Sequence, residues 1–342
     1  MKLEVMEQLE TKSREVNHKL VRVTRESGIP LLGLIFIGIV DRGTNLIQVR
    51  ATTLCNMRCP FCSTSANDFK MHPTNYIVDL DYLIDYVREV VKYKEGDVEV
   101  FLDSVGEPMI YPDYAKLVQE IKKIQGVRKI STVTNGTFLS VNKVRELEKA
   151  GLDQINLSFH AFNPELSKKL FGMDNYNVEK VKESILEIKK TKIDLMLTPV
   201  YLPGLNDNEV EDIIKFCKDN NIKIGIQKYE IHKYGRKVKG VKAQNYYKFY
   251  NKIREWEKKF DMKLRVTAKD LNVYYKKRIP IAFEKGQKIM VNVKAPGWFG
   301  NEVIGVKDNR AITIFNSYNK PGDKIKVQII ENSNNLYLAR KI

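Results

Sequence analysis

The sequence of 342 residues predicts an α/β protein, with a partial, open barrel of about six parallel β/α units followed by a small all-β barrel. Two observations predict this fold. From residue 46 to about residue 230, strand-like apolar runs alternate with helix-like segments, which is the pattern of βαβ units in a parallel sheet. After Phe283, five short β-type runs follow within about 60 residues, separated by Gly, Asn, Asp and Pro. Six units are fewer than the eight that close a full barrel, so we expect an open one.

The individual elements follow from apolar spacing. Residues 2–26 have the spacing of an amphipathic helix, and Leu31–Val40 and Asn45–Thr52 are extended runs joined by a Gly-containing link, which predicts a hairpin. We divide the chain into 1–45, 46–283 and 284–342. The predicted strands are Val98–Leu102, Lys129–Thr134, Gln154–Phe159, Ile193–Pro199, Ile222–Gln227, Lys288–Val293, Val303–Lys307, Ala311–Phe315, Lys324–Glu331 and Leu336–Arg340. The predicted helices are Tyr82–Tyr93, Asp113–Ile124, Val141–Ala150, Val178–Lys190, Glu209–Asp219 and 244–259.

Composition excludes some classes of protein. A hydrophobic content of 43% supports a sizeable core and argues against wholesale disorder. The longest apolar run, Leu31–Val40, has ten residues, fewer than the roughly 20 that cross a bilayer. No cleavage site follows it, so it does not resemble a signal peptide. We therefore expect a soluble, cytoplasmic protein without a membrane partner.

Positive charge is concentrated in the last third of the chain. The formal net charge is +16, with +12 in 228–278, +5 in 279–342 and −1 in the first 227 residues. A localised basic region is typical of proteins that bind polyanions, although a Lys-rich solvated surface is the alternative. The segment from His232 to Lys237 interleaves basic residues with Tyr and Gly, and such a segment can contact phosphates and bases. The candidate RNA-binding residues are Lys233, Arg236, Lys237 and Lys239.

Three of the four cysteines lie within eight residues. Cys55, Cys59 and Cys62 have the spacing C-x3-C-x2-C in a loop directly after a strand, whereas Cys217 lies on the apolar face of a helix. Three thiolates at this spacing can hold three irons of a four-iron cluster and leave the fourth iron open. A structural zinc site is the alternative, and it would need a fourth ligand such as His72 or Cys217.

The cysteine motif, with Phe61 just before its last cysteine, resembles that of the radical S-adenosylmethionine (SAM) superfamily. In that family the three cysteines hold a [4Fe–4S] cluster, and SAM chelates the fourth iron. The resemblance implies a partial (β/α)6 barrel of radical SAM type, reductive cleavage of SAM, a 5′-deoxyadenosyl radical and an electron donor such as a ferredoxin or flavodoxin. It assigns Cys55, Cys59 and Cys62 as metal ligands.

Further segments resemble SAM-contacting motifs of the family, in the order of the strands. Ser104–Pro108 looks like the Gly-Gly-Glu-type motif, with Val105 in place of the first Gly, and Pro199–Asp207 resembles the exit of the fifth strand. A carboxylate at this end of a parallel sheet can pair with the SAM ammonium. The implied cofactor-binding residues are Gly106, Glu107, Asn135, Ser158 and Gln227.

The predicted C-terminal barrel resembles a TRAM domain, a small β-barrel of tRNA-modifying enzymes. The resemblance rests on residues 285–291, 322–329 and 336–340. Exposed aromatic residues, Trp298, Phe299, Tyr318 and Tyr337, would suit stacking on bases, with packing inside the barrel as the alternative.

These features predict a radical SAM enzyme that modifies RNA, in particular tRNA. The alternatives are a radical SAM enzyme acting on a protein or small molecule, and a non-enzymatic RNA-binding protein with a structural metal. Only Cys217 remains outside the motif, which argues against auxiliary iron–sulfur clusters. The target nucleotide and the role of residues 1–45 do not follow from the sequence.

Overall fold

The computed structural model describes residues 19–342, which divide into two compact units. Within the described residues, the first unit contains 19–55, Asn67–Ile130 and Tyr274–Ile342. The second unit contains Asn56–Ala66 and Ser131–Val273. Among the described residues, no helix is both long enough and apolar enough to cross a membrane.

The N-terminal half of the first unit combines strands with two helices. Its elements are β1 (Lys19–Val23), β2 (Gly38–Asp41), β3 (Leu46–Arg50), β4 (Thr74–Val78), α1 (Leu80–Tyr93), β5 (Val98–Leu102), α2 (Tyr114–Lys122) and the first half of β6 (Val127–Thr134). The β2–β3 pair is antiparallel, which confirms the predicted hairpin. Strand β3 pairs in parallel with β5, and β5 lies beside β6. Helix α1 begins where the Asp79 side chain accepts a hydrogen bond from the Tyr82 amide.

The predicted helix over residues 2–26 is wrong in its last part, and residues 2–18 lie outside the described residues. Lys19–Val23 forms β1, which pairs in parallel with β4. Val21 lies opposite Tyr76, and Val23 opposite Val78. β-Branched residues suit a strand, and this tertiary pairing outweighs the helical spacing of the sequence.

The second unit continues the parallel arrangement. From Ser131 the second half of β6 is followed in space by β7, β8 and β10, with all neighbours parallel. Short strands β9 and β11 pair separately, also in parallel. The elements are α3 (Val141–Ala150), β7 (Gln154–Leu157), α4 (Pro164–Phe171), α5 (Val178–Ile188), β8 (Asp194–Leu197), β9 (Val200–Tyr201), α6 (Asp207–Asn220), β10 (Lys223–Ile224), β11 (Gln227–Lys228) and α7 (Tyr246–Phe260). Strands β3, β5, β6, β7, β8 and β10 correspond to the six parallel β/α units that the sequence predicts.

The C-terminal part of the first unit is a closed five-stranded barrel with the order β12-β13-β14-β16-β15. Its strands are β12 (Lys288–Pro296), β13 (Glu302–Lys307), β14 (Arg310–Phe315), β15 (Lys324–Glu331) and β16 (Leu338–Lys341). Alternate residues of β12, such as Ile289, Val291 and Val293, point into its core. The small barrel predicted after Phe283 is therefore confirmed.

Exposure for stacking on bases does not hold for two of the four barrel aromatic residues. Trp298 and Tyr337 are buried, and the Tyr337 hydroxyl donates to Asn335 Oδ1 at 2.5 Å. Phe299 is half-buried, and Tyr318 alone of the four is exposed, at 79%. Both buried rings are used for packing, since Tyr337 lies in the barrel core and Trp298 stacks on His72.

Apolar and backbone contacts within the first unit join the barrel to residues 29–40. Trp298 stacks on His72 at 3.8 Å and lies 5.8 Å from Phe36 between ring centroids. The Ala311 amide donates to Leu32 O at 2.8 Å. Gly33 has φ +121°, and a Cβ there would lie 1.9 Å from Ala311 O, so only glycine permits this close approach. Removal of the barrel would expose the apolar side of residues 29–40.

A buried ion pair lies at the end of α1 in the first unit. Lys94 and Asp41 are both fully buried, with Nζ 2.9 Å from Oδ1. Lys94 Nζ also donates to Lys277 O at 2.7 Å, and Asp41 Oδ2 accepts from the Ile279 amide at 2.8 Å. Asp41 is thus a structural residue that joins the hairpin to the segment leading into the barrel.

We predict that Lys94→Met lowers the free energy of unfolding by about 3–5 kcal/mol, because it leaves the Asp41 carboxylate buried without its cation. Chemical denaturation measures this loss. The exposed Lys92→Met on the same helix is the control, with an expected change within about 0.5 kcal/mol. Equal stabilities of the two variants would contradict the structural role of the pair.

Candidate functional site

The cysteine motif lies in irregular backbone between β3 and β4. Cys55 belongs to the first unit, and Cys59 and Cys62 to the second. All three side chains are thiols, not disulfides, and are half-buried. In the second unit, Cys59 Sγ lies 3.7 Å from Phe171 O, and Cys62 Sγ lies 3.3 Å from Thr64 Oγ1. The loop therefore presents reduced, partly accessible sulfur atoms.

The donor set fits a metal cluster better than a disulfide or a core function. Three cysteines that are not in disulfides occur within one loop, and thiolates are the ligands that iron–sulfur clusters use. In residues 19–342, no three His, Cys, Asp or Glu side chains converge closely enough to hold a single metal ion. A structural zinc site would need a fourth ligand, for which His72 and Cys217 are the candidates. His72 instead stacks on Trp298, inside the first unit.

Cys217 is a core residue. It lies on α6 and is fully buried, together with Val210, Ile213 and Ile214 of the same helix face. Burial raises the pKa of its thiol to about 12, so the thiol stays protonated and is a poor metal ligand.

Arg236 is directed at the cysteine loop. Its Nη1 donates to Cys59 O at 3.2 Å, and its Nη2 donates to Ser65 O at 3.2 Å and to Ala66 O. Its backbone amide donates to Cys62 O at 2.9 Å. In the structure its guanidinium donates to loop carbonyls, and the RNA contact that the sequence predicts for Arg236 stays a prediction.

The three lysines predicted with Arg236 have a different setting. Lys233, Lys237 and Lys239 are exposed, and Lys233 Nζ lies 5.0 Å from the centre of the Tyr234 ring. They are therefore available to a ligand on the solvent side of the segment that bears Arg236.

Asn135 supports the start of the loop within the second unit. Its Nδ2 donates to Asn56 Oδ1 at 2.9 Å, and its Oδ1 accepts from the Thr137 amide at 2.9 Å. Asn56 Nδ2 in turn donates to Thr137 Oγ1 at 2.9 Å. Gly136, with φ +83°, forms the turn between Asn135 and Thr137. The sequence predicts Asn135 as a SAM contact, and the structure adds a positioning contact with Asn56.

Glu107 is packed against the backbone that precedes Cys55, within the first unit. Its amide donates to Leu54 O at 2.8 Å, and its buried carboxylate accepts from the Met109 amide at 3.1 Å through Oε1. A Cβ on Gly106 would lie 2.1 Å from Leu54 O, so glycine is required for this approach. Ser104 Oγ donates to Thr52 O at 2.5 Å and accepts from the Gly106 amide. The Ser104–Glu107 motif is thus held on the strand end that leads into the cysteines.

Ser158 and Gln227 lie at the ends of strands of the second unit. Ser158 follows β7, is half-buried, and donates its amide to Thr134 O at 2.9 Å. Gln227 begins β11, is exposed, and donates Nε2 to Gly225 O at 3.0 Å. Their predicted contacts with SAM remain predictions.

His160 is a residue that the sequence reasoning missed. Its ring contacts Phe61 edge-on at 5.0 Å and Phe171 at 4.9 Å, and its Nδ1 accepts from the Val200 amide at 3.1 Å. Burial lowers the pKa of His160 to about 3, so the ring is neutral. Its position two residues after Ser158, a predicted SAM contact, is a weak indication that it lies near the site. The contact of its ring with Phe61 cannot be predicted from the sequence.

Comparison with known proteins agrees with the cysteine motif. Residues 49–217 match the model of the radical SAM superfamily. The chain belongs to the radical SAM superfamily. Its cofactors are accordingly a [4Fe–4S] cluster and SAM.

Relatives extend the match beyond the family domain. An uncharacterized protein of Methanocaldococcus jannaschii is 34% identical over 97% of this chain and 82% of its own length. The GTP 3′,8-cyclase of Aquifex aeolicus is 28% identical over 56% of this chain, and the match spans 58% of that enzyme. Streptococcus suis SuiB bound to SAM is a structural neighbour with a TM-score of 0.48 and 16% identity, covering 75% of this chain and 52% of that one.

We predict that alanine at Cys55, Cys59 or Cys62 abolishes cluster formation, because each change removes one of three thiolate ligands. Iron and sulfide analysis of anaerobically reconstituted protein, together with its visible absorption, measures this. Cys217→Ala is the matched control and should retain about four irons per chain. Stoichiometric zinc without iron uptake in the unaltered protein would contradict the assignment.

We predict that Glu107→Gln weakens SAM binding roughly 10- to 150-fold, because Glu107 is the predicted partner of the SAM ammonium and this change removes its charge. The glutamine carbonyl can still accept from the Met109 amide, so iron content should not change. Equilibrium binding of SAM to the reconstituted protein measures the effect, with the exposed Glu89→Gln as control. Equal SAM affinities of the Glu107 and Glu89 variants would rule out this contact.

Proposed function

We propose that the chain cleaves SAM reductively to a 5′-deoxyadenosyl radical and uses the radical to modify RNA, in particular tRNA. Three exposed lysines, Lys233, Lys237 and Lys239, carry this proposal. They lie within three residues of Arg236, which contacts the carbonyls of Cys59 and Ser65. A polyanion bound to these lysines would therefore lie close to the cysteine loop of the same unit.

The family motifs supply the cofactor-binding part of the proposal. Cys55, Cys59 and Cys62 would ligate three irons, and the fourth iron would bind SAM. Gly106, Glu107, Asn135, Ser158 and Gln227 would contact SAM. When bound and reduced by a donor such as a ferredoxin or flavodoxin, the cluster and SAM supply the radical that abstracts hydrogen.

The chain's own residues would hold and shield these groups. Gly106 allows the backbone to approach Leu54 closely, and Glu107 offers a carboxylate to the SAM ammonium. In the second unit, Phe61, His160 and Phe171 form an aromatic wall behind the cysteine loop. Because the ring of His160 is neutral, this wall adds no charge and limits the access of water to that side.

The charge distribution supports a phosphate-bearing substrate. Residues 228–278 have a net charge of +12, and helix α7 within this range exposes Tyr246 and Tyr247. Basic side chains can neutralise phosphates, and exposed aromatic rings can stack on bases. The C-terminal barrel, with its TRAM-like sequence, contributes less to this proposal, since Tyr318 is the exposed member of its four aromatic residues.

A nucleotide is the second candidate substrate. Relatives named GTP 3′,8-cyclases match slightly more than half of this chain. A nucleoside triphosphate and an RNA both bind a basic segment through phosphate groups, but a triphosphate can contact far fewer lysines. The number of phosphates bound, measured by the salt dependence of binding, therefore separates the two substrates.

We predict that replacing Lys233, Lys237 and Lys239 by Gln weakens tRNA binding for all sequences. The slope of log K against log salt should fall by about 0.7–0.9 for each phosphate that the variant no longer neutralises. Filter binding or anisotropy at several salt concentrations measures this. Gln at the exposed Lys92, Lys116 and Lys149 is the control with equal loss of charge.

The outcome separates the two substrates. An unchanged slope in the first triple variant would contradict RNA binding at this segment. Binding of GTP, but not tRNA, by the unaltered protein would favour the nucleotide. Arg236 is kept intact in this test, because its side chain contacts the cysteine loop.

A further inference from the structure

The segment Ile231–Val241, which we call the clasp, runs beside the second half of the cysteine loop. Its central residue, Arg236, donates hydrogen bonds to four loop carbonyls: three from the guanidinium and one from the backbone amide. In the other direction, Ser65 Oγ donates to Tyr234 O at 2.7 Å. These contacts lie within the second unit, and they span the loop from Cys59 to Ala66.

Glycine at position 235 makes this approach possible. A Cβ built on Gly235 would lie 2.9 Å from Cys62 O and 3.1 Å from Ser63 O. Such distances are shorter than van der Waals contact with backbone oxygens, so a larger residue would push the clasp and the loop apart. The backbone of the clasp therefore contacts the loop at the last cysteine.

The clasp is itself anchored to the core of the second unit. The Val238 amide donates to the Tyr229 hydroxyl at 3.0 Å. Val238 and Val241 pack on a buried cluster that contains Tyr229 and Leu202, and Phe61 of the cysteine loop packs on the same cluster. The loop and the clasp thus pack on the same apolar cluster, and the hydrogen bonds of Arg236 join them.

Irregular loops have carbonyl groups without secondary-structure partners, and burying such groups without hydrogen bonds is costly. The planar guanidinium can serve several carbonyls at once in a fixed geometry, which a lysine ammonium cannot reproduce. Its charge is permanent. Arg236 therefore both orders the loop and places a positive charge at the backbone of two cysteines.

We propose that Arg236 is a positioning residue of the cluster site: it holds the loop from Cys59 to Ala66 in its ligand-bearing shape and favours the reduced cluster by its charge. A cluster with three thiolate ligands becomes more negative on reduction, so a nearby fixed cation raises its reduction potential. This role holds whichever substrate the enzyme uses. It goes beyond the family motifs, which end before the clasp.

The test compares Arg236→Gln, Arg236→Lys and, as matched control, the exposed Lys237→Gln of the same segment. In iron-free protein, hydrogen exchange of peptides covering residues 58–66 should become at least about tenfold faster in Arg236→Gln, because this variant lacks the hydrogen bonds from a charged group. Lys237→Gln should exchange like the unaltered protein. After reconstitution, the midpoint potential should be lower in Arg236→Gln than in Arg236→Lys, which retains the charge.

Equal exchange in residues 58–66 and equal potentials in Arg236→Gln and Lys237→Gln would overturn the proposal. If the Arg236 variants fail to fold, exchange in the unaltered chain decides instead. Cluster loading should then slow exchange at the Arg236 amide, which donates to Cys62 O, together with residues 58–66. Slower exchange in residues 58–66 alone would overturn the proposal.

Discussion

The loop that bears Cys59 and Cys62 has no helix or strand of its own, so its backbone groups need partners from elsewhere. In the second unit, Arg236 serves the carbonyls of Cys59, Cys62, Ser65 and Ala66, and Phe171 O accepts from the Arg58 amide at 3.1 Å. Gly172 allows α4 to end close to this backbone, since a Cβ there would lie 2.3 Å from Arg58 O. The shape of the loop therefore depends on residues more than 100 positions away in the sequence.

In the first unit too, residues distant in the sequence hold the backbone next to a cysteine. Glu107 and Gly106 hold the backbone of Leu54, directly before Cys55. The strand ends behind this contact are fixed by the bidentate pair of Arg50 and Asp103, with Nε–Oδ1 at 2.9 Å and Nη2–Oδ2 at 2.8 Å. Both groups are buried, so losing either partner would leave an uncompensated charge. Residues that the motif predicts as SAM contacts are thus also part of the support of the loop.

Much of the fold was predictable because local signals agree with it. Helix α3 was predicted with correct bounds, since Ser140 caps its start and Gly151 adopts φ +92° at its end. Strand β1 was missed because its pairing with β4 is a tertiary effect, and α4 was missed because it is short. At the site, the C-x3-C-x2-C spacing was sufficient to predict the cluster motif. The contacts of Arg236 and His160 were not predictable, because the basic and aromatic residues around them give no local signal for their partners.

The central claim is that the cysteine loop holds a four-iron cluster with one iron open to SAM. Electron paramagnetic resonance of the reduced, reconstituted protein with SAM labelled with ¹⁵N at its amino group tests this most directly. We expect the cluster signal to change on addition of SAM and to show hyperfine coupling to the labelled nitrogen. A signal unchanged by SAM and without such coupling would contradict the account.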